Sequence, residues 1–231
     1  MRQQNNFADA GELANALGLA VAGNLNTSLA ESGRASLAVS GGSTPTLFFK
    51  ALGARKDVDW SKVTVTLVDE RWVDEKSHRS NARLVRDKLL QGPASAARFV
   101  PLYSGGKMPD EEKIAETNKV LGALPMPLSA AIFGMGEDGH TASFFPGGDT
   151  LEAALNETGP ALAISAPGAG EPRVTLTLPF LLGAKNLYLH VQGNQKALVL
   201  EKALAGDDIA EMPVRALLHQ DLKPVEIYWC P

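Results

Sequence analysis

Short apolar runs alternate with amphipathic stretches along almost the whole chain, and this alternation most constrains the fold. Arg34–Val39 is an apolar run that ends in Ser40-Gly41-Gly42 and reads as a buried strand. Val63–Val68 is β-branched and apolar, a strong strand signal. Ala130–Phe133, Asn186–Val191 and Val225–Trp229 read the same way, and Phe99–Leu102, Ala161–Ser165 and Arg173–Leu178 are further strand candidates. Between them, Leu13, Leu17, Ala20, Val21 and Leu25 recur at helical spacing within Ala8–Leu29. Leu47, Phe48 and Leu52, then Asn81–Leu90, Pro109–Leu124 and Lys196–Leu204 continue the helical pattern. Strands alternating with helices predict a Rossmann-like α/β fold, a largely parallel sheet with helices on both faces. No repeat or low-complexity linker interrupts the pattern, and the Gly/Pro-rich stretch Pro167–Pro172 reads as a loop, so residues 1–231 are expected to form a single domain.

Composition removes several classes of function. Apolar residues make up 45% and charged residues 21%, which excludes intrinsic disorder. The net charge of −4 gives no field to attract nucleic acid or an anionic membrane. Cys230 is the only cysteine, so neither an internal disulfide nor a thiolate metal site is available. Apolar runs such as Ala130–Phe133 fall far short of the ~20 residues of a membrane span. No basic-then-apolar leader opens the chain, so a cytoplasmic protein is expected. No long exposed apolar seam is evident, and a monomer is expected. The four histidines, His78, His140, His190 and His219, show no ligand-pair spacing, so no metal is expected.

Ligands of open α/β sheets bind outside the carboxyl ends of the strands. Three segments, each expected to be a loop, fall there: Ser40–Pro45, Asp69–Arg71 and Gly134–Pro146. In Ser40-Gly41-Gly42-Ser43-Thr44-Pro45, two glycines let the backbone turn sharply after a strand, and a helix start follows with two hydroxyls beside it. That is a physical anion site suited to a phosphate; it reads equally as an ordinary strand-to-helix turn capped by Ser43. The Gly-Lys-Ser/Thr of a nucleotide P-loop is missing. The second segment, Asp69-Glu70-Arg71-Trp72, is by local sequence a solvated, self-paired charge cluster, and Arg83, Arg86 and Lys88 read as a solvated helix face. The third, Gly134–Gly147, carries His140 among glycines with Asp138 two residues earlier. A histidine in a polar loop at that edge of the sheet is well placed to take a proton near neutral pH, and Asp138 to hold its tautomer or stabilise the imidazolium.

Ser-Gly-Gly-Ser-Thr-Pro at 40–45, Asp-Glu-Arg-Trp-Val at 69–73, Ser80-Asn81 and Gly-Met-Gly-Glu-Asp-Gly-His-Thr-Ala-Ser at 134–143 occur in this order. With Arg173–Thr177 and Asn194–Lys196, they resemble the glucosamine-6-phosphate isomerase/6-phosphogluconolactonase family, on its lactonase side. The resemblance implies hydrolysis of 6-phospho-D-glucono-1,5-lactone to 6-phospho-D-gluconate in the pentose phosphate pathway, with no metal or organic cofactor. It implies that the backbone of Gly41 and Gly42 and the hydroxyls of Ser43 and Thr44 hold the substrate phosphate, completed by Arg173 and Lys196. It implies that Asp69 and Arg71 flank the sugar, with Asn81 behind them or on a hydroxyl, and that His140 acts as general base with Asp138. The oxyanion donor is left open between Arg71 and backbone N–H groups of the glycine loop.

Two rivals compete with this reading. Glucosamine-6-phosphate deaminases share the phosphate loop and the Asp-Gly-His, but there the histidine segment continues toward an Asn-Glu-Pro whose Glu partners the His. Here Phe144-Phe145-Pro146 stands in that place, so Phe145 replaces the carboxylate. A non-catalytic sugar-phosphate sensor of this fold is joined to a DNA-binding module, and the chain has no helix-turn-helix extension or basic arm.

Overall fold

Five apolar runs lie at the centre of the computed structural model, which describes residues 2–231. The elements in order are β1 (Arg2–Asn6), α1 (Ala10–Ser32), β2 (Ala35–Val39), α2 (Thr46–Gly53), β3 (Val63–Leu67), β4 (Asp69–Arg71), α3 (Asn81–Lys88), β5 (Arg98–Phe99) and α4 (Glu111–Leu121). They continue with β6 (Ala130–Phe133), α5 (Leu151–Asn156), β7 (Ala161–Ile164), β8 (Arg173–Leu176), α6 (Leu178–Leu182), β9 (Leu187–Gln192), α7 (Asn194–Ala205), α8 (Val214–Leu218) and β10 (Val225–Cys230). Seven strands form one sheet in the order β1-β10-β9-β6-β2-β3-β5, with every neighbouring pair parallel. Successive strand residues point to opposite faces, yet every residue of β2, β3 and β6 is buried. Both faces are therefore covered, as parallel sheets require. Helix α1 packs along α2 and across β2, and α7 packs on β9 and α8.

Helix ends follow local chemistry. Asp9 caps α1 by accepting from the backbone N–H of Gly11 and Glu12, and Gly33 ends it at φ 71°. Asp110 caps α4 and Thr177 caps α6 in the same way. Among the described residues no helix is long and apolar enough to cross a membrane.

Three expectations are corrected. Asp69–Arg71 is a strand rather than a loop: β4 pairs antiparallel with β8, and β8 with β7, in a separate three-stranded sheet. The cluster is also not solvated, because Asp69 is 4% and Glu70 0% exposed. The candidate strand Phe99–Leu102 is reduced to Arg98–Phe99 at the sheet edge. The polar opening Arg2–Asn6, which has no apolar alternation, is an edge strand held by its backbone pairing to β10 and by Phe7 stacked on Tyr228 at 5.4 Å.

The winding direction places the site. From β2 the chain steps outward through β3 to β5, then returns to the other side of β2 with β6 and continues to β9 and β10. The reversal lies between β2 and β6, and a crevice opens outside their carboxyl ends. The loops that leave those two strands are 40–45 and 134–147. The small sheet lies against the same edge, since Val68 donates its N–H to the Val39 carbonyl and Leu176 donates to the Val68 carbonyl.

Candidate active site

One cavity at that crevice is lined by Gly41, Gly42, Ser43, Thr44, Asp69, Arg71, Asn81, His140, Arg173 and Lys196. Of the residues singled out in the sequence, Asp138 alone does not line it; Asp138 lies behind His140. The segments are up to 155 residues apart in the chain, from Gly41 to Lys196, and the fold brings them together.

On the β2 side, helix α2 begins at Thr46, and its N-cap is Pro45, with no side-chain cap bond. This corrects the reading of Ser43 as cap. The first-turn N–H groups and the Ser43 and Thr44 hydroxyls thus remain available to a ligand. Gly42 has φ 89°, a conformation that favours glycine. Gly41 is dictated by close approach: a Cβ there would lie 1.9 Å from Asn81 Oδ1.

On the β6 side, the His140 ring is fixed from three directions. Asp138 Oδ1 lies 2.5 Å from His140 Nδ1 and also accepts the His140 backbone N–H at 3.1 Å. Phe145 stacks on the imidazole at 4.2 Å, so the residue that stands where deaminases carry a glutamate makes an apolar contact here. Gly136 leaves room for the ring, which a Cβ would meet at 2.1 Å. A carboxylate on Nδ1 holds the proton on that nitrogen and leaves the Nε2 lone pair free. Burial works to raise the Asp138 carboxyl, but the hydrogen bond and charge of His140 outweigh it and hold Asp138 below the usual carboxylate range.

The small sheet supplies the cations. Arg71 on β4 stands opposite Arg173 on β8. Arg71 Nη1 donates to Asn81 Oδ1 at 2.9 Å, while Asn81 Nδ2 donates to the Asp69 carbonyl at 3.0 Å. Arg173 is 6% exposed, lies 3.8 Å from Asp69 Oδ2, and sits over the Phe145 ring at 5.3 Å. Ser143 Oγ donates to the same Asp69 oxygen at 2.6 Å. The Nε atoms of both arginines are buried without a partner. Lys196, near the start of α7, has no ion-pair partner among the described residues; burial lowers its pKa, partly offset by Glu137. A buried guanidinium, a half-buried one and an ammonium without an ion-pair partner among the described residues line one cavity, an arrangement that could hold an anion.

Three contributors were not legible as site residues. Glu70 points away from the cavity and organises it from behind, accepting from the backbone N–H groups of Arg71, Asn81 and Ala82 and from Ser80 Oγ at 2.7–3.1 Å. Burial pushes its carboxyl up to about 7 against those donors. Met135 lines the cavity from the glycine loop. His190 lines it from β9, 2% exposed, with Nε2 3.1 Å from Gln192 Nε2 and Nδ1 unpartnered. A histidine within Leu187–Val191, near the carboxyl end of an otherwise apolar strand, was the available signal. Among the described residues no group of three or more His, Cys, Asp or Glu side chains could hold a metal ion.

Burial, aided by the Lys196 charge, pushes His190 down to about 4. Between pH 6.5 and 4 the unfolded chain binds this proton and the folded chain does not, so stability falls as pH is lowered through that window. The drop attributable to His190 is about 3 kcal/mol when complete. Urea unfolding of wild type and His190→Gln between pH 7 and 4 should show the wild type losing more; parallel curves would exclude this role.

The sequence matches the family described as glucosamine-6-phosphate isomerases/6-phosphogluconolactonase over residues 8–229. A 6-phosphogluconolactonase of Rhizobium meliloti is 49% identical over 227 residues, 97% of each chain. One of Mesorhizobium japonicum is 47% identical over 229 residues, 98% of this chain and 94% of that one. The crystal structure of a 6-phosphogluconolactonase from Shewanella baltica superposes with a TM-score of 0.97 at 38% identity, covering 100% of this chain and 98% of that chain. Motifs, sheet order and these relatives agree, and the chain belongs to the glucosamine-6-phosphate isomerase/6-phosphogluconolactonase family.

Proposed function

We propose that the chain hydrolyses 6-phospho-D-glucono-1,5-lactone to 6-phospho-D-gluconate, a step of the pentose phosphate pathway, with His140 activating the attacking water. The observation that carries this reading is one cavity holding both an anion cradle and a histidine whose Nε2 is free while Asp138 occupies Nδ1. The shared name of the relatives supports the substrate. Phe145 stacked on His140 supports hydrolysis over deamination, because no carboxylate stands there to relay a proton.

The phosphate rests on the backbone of Gly41 and Gly42 and the hydroxyls of Ser43 and Thr44, neutralised by Arg173 and Lys196. Asp69 holds Arg173 at the phosphate, and Asn81 holds Arg71 at the sugar end. His140 Nε2 takes a proton from water as its oxygen bonds to the lactone carbonyl carbon. The carbonyl electron pair moves onto oxygen, and the Arg71 guanidinium stabilises that oxyanion. Collapse breaks the bond to the ring oxygen, which receives the proton back from His140 and leaves as a hydroxyl. Asp138 stabilises the transient imidazolium.

The deciding experiment is acid release from freshly generated 6-phosphogluconolactone, corrected for spontaneous hydrolysis at the same pH. A rate no greater than background at micromolar enzyme would refute the proposal. The same assay tests metal independence: since the donors needed for a metal site are not clustered among the described residues, EDTA should leave activity within error of the untreated enzyme. Activity lost on chelation and restored by zinc or magnesium would contradict it.

A further inference from the structure

Arg71 and Arg173 face each other across the β4–β8 pair, and like charges so placed repel. Each is held by a carbonyl from an adjoining loop. Arg71 Nη1 donates to the Arg79 carbonyl at 2.6 Å, and Arg173 Nη2 donates to the Ala169 carbonyl at 2.6 Å. The first loop joins β4 to α3 and the second joins β7 to β8, so neither carbonyl belongs to a helix or strand.

Those two loops are tied to each other. Arg79 Nε and Nη2 donate to Glu171 Oε1 and Oε2 at 2.5 and 2.8 Å, a bidentate pair between residues 92 positions apart. Its one backbone companion is the Trp72 N–H, which donates to the Pro172 carbonyl at 2.7 Å. The hydrogen bond from Arg79 holds the Glu171 carboxyl down at about 2, so the pair stays ionised across any working pH. A planar fork on a carboxylate fixes orientation as well as distance.

We propose that Arg79 and Glu171 are positioning residues for the lactone-hydrolysing reaction: their pair straps together the two loops whose carbonyls aim Arg71 and Arg173 at an anionic substrate. The inference rests on the function proposed above. Half-exposed ion pairs contribute little to global stability. Angstrom-scale misplacement of charged groups at a site costs up to about a hundredfold in rate or affinity. The strap therefore acts on affinity more than on folding.

The test uses the full chain with Arg79→Ala, Glu171→Ala, Glu171→Gln and the double alanine variant. Calorimetric titration with 6-phosphogluconate and steady-state kinetics with the lactone are read beside thermal melts. Each single variant should raise Kd and KM about tenfold and lower kcat as well, because Arg71 also serves the oxyanion, with Tm nearly unmoved. The double variant should also sit near tenfold, because both residues act through one bridge. The charge-only alternative predicts opposite signs, since losing Glu171 would then tighten anion binding while losing Arg79 weakened it. Opposite signs, unchanged affinity, a double variant near a hundredfold, or a fall in Tm and Vmax at constant KM would each overturn the strap. Wild type that neither binds 6-phosphogluconate nor hydrolyses the lactone would overturn the functional reading itself, and the strap with it.

Discussion

His140→Ala should lower kcat by roughly 10²–10⁴-fold, the usual contribution of a positioned general base. KM should change little, because in the proposed binding mode the 41–44 loop, Arg173 and Lys196, not the imidazole, hold the substrate phosphate. Asp138→Asn should produce a smaller loss of kcat, because a neutral amide stabilises the transient imidazolium less than a carboxylate 2.5 Å away. The lactone opens by itself, faster in alkali, so the uncatalysed rate must be subtracted at each pH. Folded His140→Ala enzyme that keeps near wild-type kcat would remove His140 from the mechanism, and Asp69 would be the next candidate base.

The parallel sheet was legible because its central strands are buried on both faces and so read as unbroken apolar runs. β2, β3 and β6 differ from their sequence ranges by at most one residue. The small sheet was not legible for the opposite reason. β4 consists of Asp69, Glu70 and Arg71, which no strand propensity favours, and it forms only because β8, about a hundred residues later, pairs with it. The same long-range pairing decides the fate of its charges. Glu70 reads as solvated until four donors from β4 and the start of α3 surround it. Edge strand β1 and the short helices α5, α6 and α8 lack a periodic apolar face long enough to be read.

The candidate site was more legible than the fold around it, for a physical reason. Gly42, His140 and Asp138 owe their positions to local backbone geometry, and a short motif records local geometry. Arg79 and Glu171 owe theirs to each other across 92 residues, and no local pattern distinguishes them from surface charge. His190 hides inside a strand whose alternation it barely disturbs.

Removing the phosphate from the substrate should be as damaging as removing the base. The cavity offers the anion two buried or half-buried cations, the first-turn N–H groups of α2 and two hydroxyls, none of which a sugar without phosphate can use in the same way. Hydrogen bonds to charged groups contribute about 1.5–3 kcal/mol each, so losing three lowers kcat/KM by about 10³-fold or more. Part of that loss should appear in kcat, because binding energy remote from the reacting carbon also holds the lactone against His140. A substrate-by-enzyme cycle assigns the effect. Lys196→Ala should lower kcat/KM for the 6-phosphate by at least about tenfold, the weight of one charge-assisted contact, and leave plain D-glucono-1,5-lactone unchanged. Arg173→Ala should behave similarly with a larger loss, since it also strips Asp69 of its cation. If wild type opened the unphosphorylated lactone as efficiently as its 6-phosphate, or if Lys196→Ala reduced both substrates by the same factor, the anion would not be bound where the cations converge, and the 41–44 loop would be only a turn between β2 and α2.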